Sequence, residues 1–295
     1  MINLRGILFM ILSMACFAVE DTFIKLLSTR LPATQILFSV GFGGALITLA
    51  LAVTLNVNLA DKILLNKHVI SRTIADLFGA LFFTSAMVLI PMSLLASILQ
   101  ATPLFVTLGA AILLGEKVGW RRWSAIFIGF LGVIIILQPG YGSFQLASLL
   151  GLAAVLCLAL RDVVTRDMAT EIPTLTVTFY ACLAMGSAGF IAYPFFGTPI
   201  MPTTFEAILL VCAAIIGLTG YFLIVLATRK GDVSVIAPFR YSRLLFSLGL
   251  ASLILGEMLT LPILLGGLLV VSSGIYTFGR ERRLFKIQKS LNQKK

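Results

Sequence analysis

Residues 94–117 read LLASILQATPLFVTLGAAILLGEK, and residues 235–257 read VIAPFRYSRLLFSLGLASLILGE. The two stretches stand 141 positions apart, and that offset holds without a gap over most of the chain. It pairs Cys16 with Cys157, Asp21 with Asp162, Lys25 with Arg166, Pro32 with Pro173, Phe38 with Phe179, Gly79 with Gly220, and Leu114-Gly115-Glu116 with Leu255-Gly256-Glu257. One apolar unit is therefore written twice. Membrane proteins built this way commonly place a binding site between the copies.

The 295 residues are 59% hydrophobic and 12% charged, with a mean hydropathy of +1.07, which places the chain among membrane proteins. A charge at the centre of a bilayer costs roughly 2.5 to 3.5 kcal/mol on insertion scales, so long charge-poor runs mark spans. Such runs occupy residues 6–27, 33–56, 70–89, 92–114, 121–138, 146–168, 174–196, 206–228, 233–255 and 260–279. Most approach the ~20 residues that a span requires. The expected fold is an all-α integral membrane protein with ten transmembrane helices, five in each copy. An odd number of spans per copy makes the second copy enter from the opposite side, so the repeat is expected to be inverted. Residues 1–138 form the first repeat, 139–145 a connecting loop, 146–279 the second repeat and 280–295 a basic tail. The first run follows Arg5 as a signal peptide would, but its length, Glu20, Asp21 and its match to 146–168 make it a retained span.

The net charge of +10 has a topological reading. With the N-terminus in the cytoplasm, 18 of the 22 Lys and Arg residues fall on that side, including Arg5, Arg72, Arg161, Arg166 and the seven after Gly279. That asymmetry predicts a multi-pass protein of a bacterial-type inner membrane with both termini cytoplasmic. The tail reads as an anchor on anionic lipid rather than a nucleic-acid site. Expected partners are a small-molecule metabolite and membrane lipids, with no nucleic acid, and a homodimer stays open. The four cysteines lie inside spans without a CxxC pair, and the only histidine, His68, is expected in a loop away from them. No metal or cofactor site and no histidine-based catalytic triad can be assembled from these residues, so none is expected.

The two quoted stretches, with the glycines that follow at Gly129, Gly132, Gly266, Gly267 and Gly274, resemble the EamA-type members of the drug/metabolite transporter superfamily. The resemblance covers nearly the whole chain, and implies transport while leaving the cargo open. Repeat and resemblance together imply a secondary active transporter that moves a small polar or anionic organic metabolite by alternating access. Amino acids, riboflavin-like vitamins and nucleoside-derived metabolites all fit. No GxxxxGK[ST] motif is present to hydrolyse a nucleotide, so the driving force is expected from a gradient or from the solute itself. The competing classes are an intramembrane lipid-modifying enzyme and a non-transporting scaffold.

Arg240 and Arg243 are the sharpest site candidates. Counted from the cytoplasmic edge near Lys230, they lie roughly 13 to 18 Å deep, close to the middle of a ~30 Å core. Spaced i and i+3, they share a helix face that Ser247 extends. Guanidinium groups at that depth need an anion, either a cargo or a structural partner such as Glu20, Asp21 or Asp76. Copy one has Leu99 and Thr102 at the matching positions. Tyr241 and its partner Gln100 complete the expected substrate-binding set of Arg240, Tyr241, Arg243, Gln100, Thr102 and Ser247. Pro103 and Pro238 can break their helices locally. Glu20, Asp21, Asp76, Arg161 and Asp162 are gating or proton-coupling candidates, with Asp21 expected toward the outer face and Asp162 toward the inner. Their alternative role is interfacial, snorkelling alongside Lys25 and Arg166. Glu116 and Glu257 read as turn residues that hold the next helix.

Overall fold

The computed structural model describes residues 2–59, 67–113, 115, 119–139, 145–166, 173–195, 198–230 and 233–292. Copy one supplies α1 (Ile2–Leu27), α2 (Ala33–Thr54), α3 (Lys67–Leu89), α4 (Met92–Leu99), α5 (Thr102–Leu113) and α6 (Trp120–Leu137). Copy two supplies α7 (Ser148–Arg166), α8 (Thr174–Ala192), α9 (Thr204–Lys230), α10 (Val233–Ile236), a 3-10 turn (Ala237–Tyr241), α11 (Ser242–Leu253) and α12 (Leu261–Asn292). No strand occurs among the described residues. Among the described residues, seven segments are long and apolar enough to cross a membrane: Leu4–Leu27, Ala33–Thr54, Val69–Leu89, Met92–Leu113, Ser148–Thr165, Thr174–Ala192 and Thr204–Ala227. Trp123–Leu137 and Leu261–Thr277 are shorter apolar helices.

Proline sets several boundaries. Pro32 and Pro173, matched by the repeat, both take extended conformations as the caps of α2 and α8. Pro91 does the same ahead of α4, where its ring disfavours helix at Ile90 and ends α3. The run 92–114, read as one span, is two helices. Pro103 has no N–H to offer the Leu99 carbonyl, so the ladder tightens through Gln100 to Ser97 (3.3 Å) and Ala101 to Ile98 (3.0 Å). The Thr102 hydroxyl then donates to the freed Leu99 carbonyl at 2.7 Å. The run 233–255 is likewise interrupted, with Pro238 inside the 3-10 turn that separates α10 from α11. After each broken helix, Gly115 and Gly256 adopt left-handed φ values of 68° and 66°, a matched pair of turns that a side chain would strain.

Three expectations change. His68 belongs to the first turn of α3 and not to a loop. Arg72, counted with the cytoplasmic loops, is a buried residue of α3. The tail after Gly279 continues α12 as helix to Asn292. Glu116, most of the connecting segment 139–145, and the side chains of His68, Arg166 and the basic residues from Arg280 onward lie outside the described residues.

Packing between the copies is reciprocal. The first helix of copy one, α1, lies along α9, the third long helix of copy two, and α7 lies along α3 in the same way. The second helices α2 and α8 pack on each other, as do the last, α6 and α12. Residue contacts repeat the exchange. Gly220 faces Cys16, whose Cβ is 3.2 Å from where a β-carbon would be, and Gly79 faces Cys157 at 3.3 Å. Such an exchange is what a two-fold relation between copies produces. The four free cysteines thus include two that fill matched helix contacts.

Close backbone approach depends on glycine where α2 crosses α8. A β-carbon on Gly41 would stand 2.6 Å from the Gly186 Cα and closer still to its nitrogen. Gly249 in α11, by contrast, has open space around it. Gly41→Ala is therefore expected to lower thermal stability by roughly 1 to 3 kcal/mol through overpacking, whereas Gly249→Ala is neutral or stabilising by up to ~1 kcal/mol. Melting of both purified variants in one detergent checks the contrast; equal melting temperatures would refute it.

Candidate functional site

A band of charge crosses the apolar interior, built from α1, α3, α7 and the broken helix of copy two. The Arg243 guanidinium holds Asp21 through Nη2 at 2.9 and 2.7 Å to the two carboxylate oxygens and through Nε at 3.2 Å. It also lies over the Phe17 ring, 5.3 Å from the centroid. Asp21 is almost wholly enclosed, with 4% of its side chain exposed. This is the structural pairing that the sequence left open for the arginines, and it occupies much of the hydrogen-bonding capacity of Arg243.

Arg240, one turn earlier, turns to the matched acid of its own copy, Asp162. Its Nη1 is 3.9 Å from Asp162 Oδ2, it makes no hydrogen bond among the described residues, and 41% of its side chain is exposed. Asp162 is held more firmly by its neighbour Arg161, at 3.0 Å from Nε and 2.8 Å from Nη2. Arg161 also reaches Asp76 at 3.5 Å, and Arg72 meets Asp76 at 3.2 Å one turn along α3. Arg72 Nε further donates to the Thr165 hydroxyl at 3.1 Å. The matched acids Asp21 and Asp162, one per copy, are thus both approached from a single short segment of copy two. Such partners make ionised groups tolerable in a low-dielectric interior.

The third long-helix contact treats the two copies differently. In the α3–α7 pair, Arg161 faces Asp76. At the matched place in the α1–α9 pair, Glu20 faces Gly217, where a β-carbon would stand 2.6 Å from the carboxyl carbon. Glue of that kind is absent there: Glu20 has no ion pair or hydrogen bond among the described residues.

Other nominated residues turn inward. Tyr241 is buried, and its hydroxyl lies directly against Gly274 of α12 with no hydrogen-bond partner among the described residues. Ser247 is fully enclosed and also lacks one. Thr102 is engaged at the break in its own helix, and Gln100 is buried beside it. Arg240 is the most open of the ion-paired residues in the band, with 41% of its side chain exposed against 25% for Arg243 and Arg161.

Two residues matter more than the sequence suggested. Glu257, read as a turn residue, instead caps α4 of the other copy. Its Oε1 accepts the Met92 N–H at 2.7 Å, and its Oε2 accepts the Ser93 N–H at 2.9 Å and the Ser93 hydroxyl at 2.6 Å. A carboxylate is well matched to a helix N-terminus. Lys25, rather than snorkelling to an interface, donates to the Met87 and Ile90 carbonyls at 2.8 Å each, closing the end of α3. The signal was present as Ser93 and Ser234 at the repeat offset, each beside a broken helix. On the same side, Arg30 grips Glu206 through Nε at 2.7 Å and Nη2 at 2.6 Å, and Gln35 exchanges hydrogen bonds with Ile200 at 2.7 and 3.0 Å. Copy one and copy two are therefore tied together by these contacts.

Among the described residues, no group of His, Cys, Asp and Glu is arranged to hold a metal ion. Known proteins agree with a transport fold. The chain is 24% identical over 281 residues to an S-adenosylmethionine uptake transporter of Rickettsia prowazekii, an alignment covering 95% of this chain and 94% of that one. It is 27% identical over 216 residues to a riboflavin transporter of Rhizobium johnstonii, covering 72% and 70%. It is 26% identical over 272 residues to a pseudopaline exporter of Pseudomonas aeruginosa, covering 90% and 93%. A solved crystal structure superposes with a TM-score of 0.63 at 20% identity, covering 92% of this chain and 98% of the other, which supports the shared fold. The family model for EamA-like transporters matches twice, at residues 4–138 and 145–278, and the chain belongs to the EamA-like transporter family.

Proposed function

We propose that this protein is a secondary active transporter that carries a small polar metabolite across a bacterial inner membrane. In this reading ten crossings form two inverted five-helix repeats, residues 1–138 and 146–279, with both termini in the cytoplasm. The reciprocal packing of α1 on α9 and α7 on α3 supports a two-fold axis, and five crossings per copy would lay that axis in the membrane plane. The concentration of Lys and Arg on one side supports the orientation.

The observation that carries the proposal is Arg240. A guanidinium on a broken helix between the two copies, with 41% of its side chain open and only a long contact to Asp162, has donors to offer a cargo. Arg243 serves a different role, as a strut that neutralises Asp21. Alternating access follows if the ties at one mouth, Glu257 on α4 and Arg30 on Glu206, break as matching ties form at the other. Glu116 and Ser234 stand at the matched positions. Transport then exchanges one set of helix caps for another rather than leaving either helix end bare.

Arg243→Ala strands a buried carboxylate and is expected to cost roughly 3 to 5 kcal/mol, with Asp21→Asn combined with Arg243→Gln recovering much of it. Thermal melting of wild type, Asp21→Asn, Arg243→Gln and the double variant measures the coupling, and additive effects would contradict the pairing. Arg240→Gln is expected to melt near wild type yet to lose uptake. Purified protein in liposomes, assayed with labelled S-adenosylmethionine, riboflavin and mixed amino acids under an imposed ion gradient, reads it directly. Uptake by wild type no faster than empty liposomes for every compound, or full uptake by Arg240→Gln, would count against the proposal. Glu257→Gln removes the charge and one of the two acceptor oxygens that cap α4, and is expected to slow transport more than it weakens cargo binding.

A further inference from the structure

Four carboxylates and four guanidiniums share the interior band: Glu20, Asp21, Asp76 and Asp162 with Arg72, Arg161, Arg240 and Arg243. Their formal charges sum to zero, but their pairing is incomplete. Asp21 goes to Arg243, Asp76 to Arg72 and Asp162 to Arg161. One acid and one base remain. Glu20 has no partner among the described residues, and Arg240 has only the 3.9 Å approach to a carboxylate that Arg161 already holds.

The segments that carry the two remainders are joined by one ion pair. Glu20 precedes Asp21 on α1, Arg240 lies one turn before Arg243, and the Asp21–Arg243 bridge joins those segments. The repeat shows what is missing at Glu20. Its counterpart Arg161 meets Asp76, whereas Glu20 meets Gly217, the position matched to Asp76. Copy two therefore places no cation opposite the acid and removes even the Cβ that would crowd it. Arg240, with no close anion of its own, is carried by the segment that this ion pair joins to α1. A lone anionic cargo would answer Arg240 and leave Glu20 unmet; an uncharged cargo would answer neither.

We infer that the cargo is a zwitterion, with its ammonium or other cationic centre drawn to Glu20 and its carboxylate drawn to Arg240. The inference rests on the transport reading and adds the charge pattern of the substrate. A zwitterion completes both remaining pairs while the interior stays neutral, so the loaded carrier can change conformation without a net charge in hydrocarbon. Selectivity follows, because a cargo lacking either charge leaves a desolvated partner unpaired.

The test is ligand-induced thermal stabilisation of the full-length protein. The probes are S-adenosylmethionine and the proteinogenic amino acids, with riboflavin as an uncharged comparator. The best zwitterion is then compared with its methyl ester and its N-acetyl derivative. At least one zwitterion is expected to bind, with either derivative weaker by roughly ten- to a hundredfold. Arg240→Gln should bind acid and ester alike, and Glu20→Gln should bind amine and N-acetyl forms alike, a loss of discrimination that a merely structural role would not produce. Binding by no zwitterion overturns the inference. So does riboflavin binding that survives both substitutions, which would leave the transport reading standing. A Glu20→Gln protein that keeps its zwitterion affinity but loses its dependence on a sodium or proton gradient would also overturn it, assigning Glu20 to a coupling cation instead.

Discussion

An ionised carboxylate inside a helix that faces hydrocarbon is tolerable only when a countercharge lies beside it. Asp21, with 4% of its side chain exposed, meets that condition through three contacts to Arg243. Much of the centre is arranged around this pair. Arg243 reaches α1 from the start of α11, just after the 3-10 turn in which Pro238 lies. The same turn carries Arg240 to the opposite side, toward Asp162. One interrupted helix thereby connects the two acids that duplication placed in matched positions. An unbroken helix would hold its backbone groups to itself and would set its arginines at a fixed pitch.

Duplication explains the scaffold, and its failures explain the site. Where the copies agree, the features are mechanical: prolines that begin α2 and α8, glycines that admit Cys16 and Cys157, left-handed glycines that end the broken helices. Where they disagree, charge changes. Leu99 and Thr102 answer Arg240 and Arg243; Glu20 answers Arg161; Asp76 answers Gly217. A symmetric protein would hold a symmetric cavity, and a cargo with distinct ends needs the opposite. Selection for a directional ligand is a physical reason for two copies of one unit to diverge at their shared centre while keeping their packing.

The sequence made the scaffold legible because its signals are local or periodic. Apolar runs, prolines at run ends and a constant offset can be read without knowing which helices touch. Pro103 and Pro238 even marked where the fourth and ninth runs are interrupted. Partnership was harder to read. Arg243 could have paired with any of three acids, since chain position gives depth but not azimuth, and only packing of α11 on α1 selects Asp21. Glu257 looked like a turn residue because its donors, the amides of Met92 and Ser93, lie 165 and 164 residues away. Tyr241 and Ser247 were judged by chemistry alone, and burial against α12 and within the core withdrew them from open space. Arg72 was counted as a cytoplasmic charge at the start of its run, although Asp76 four residues later is the spacing of a helical ion pair.

The central claim is that the ground between the copies is reached by water from one side of the membrane and then the other. Thr102 borders that ground at the break in copy one, and it is partly open. In a protein whose four cysteines have been replaced, Thr102→Cys can be exposed to a membrane-impermeant maleimide in vesicles of each orientation. The account predicts labelling from both sides, with saturating cargo altering the two rates. Labelling from neither side, or from one side only whatever the conditions, would contradict it.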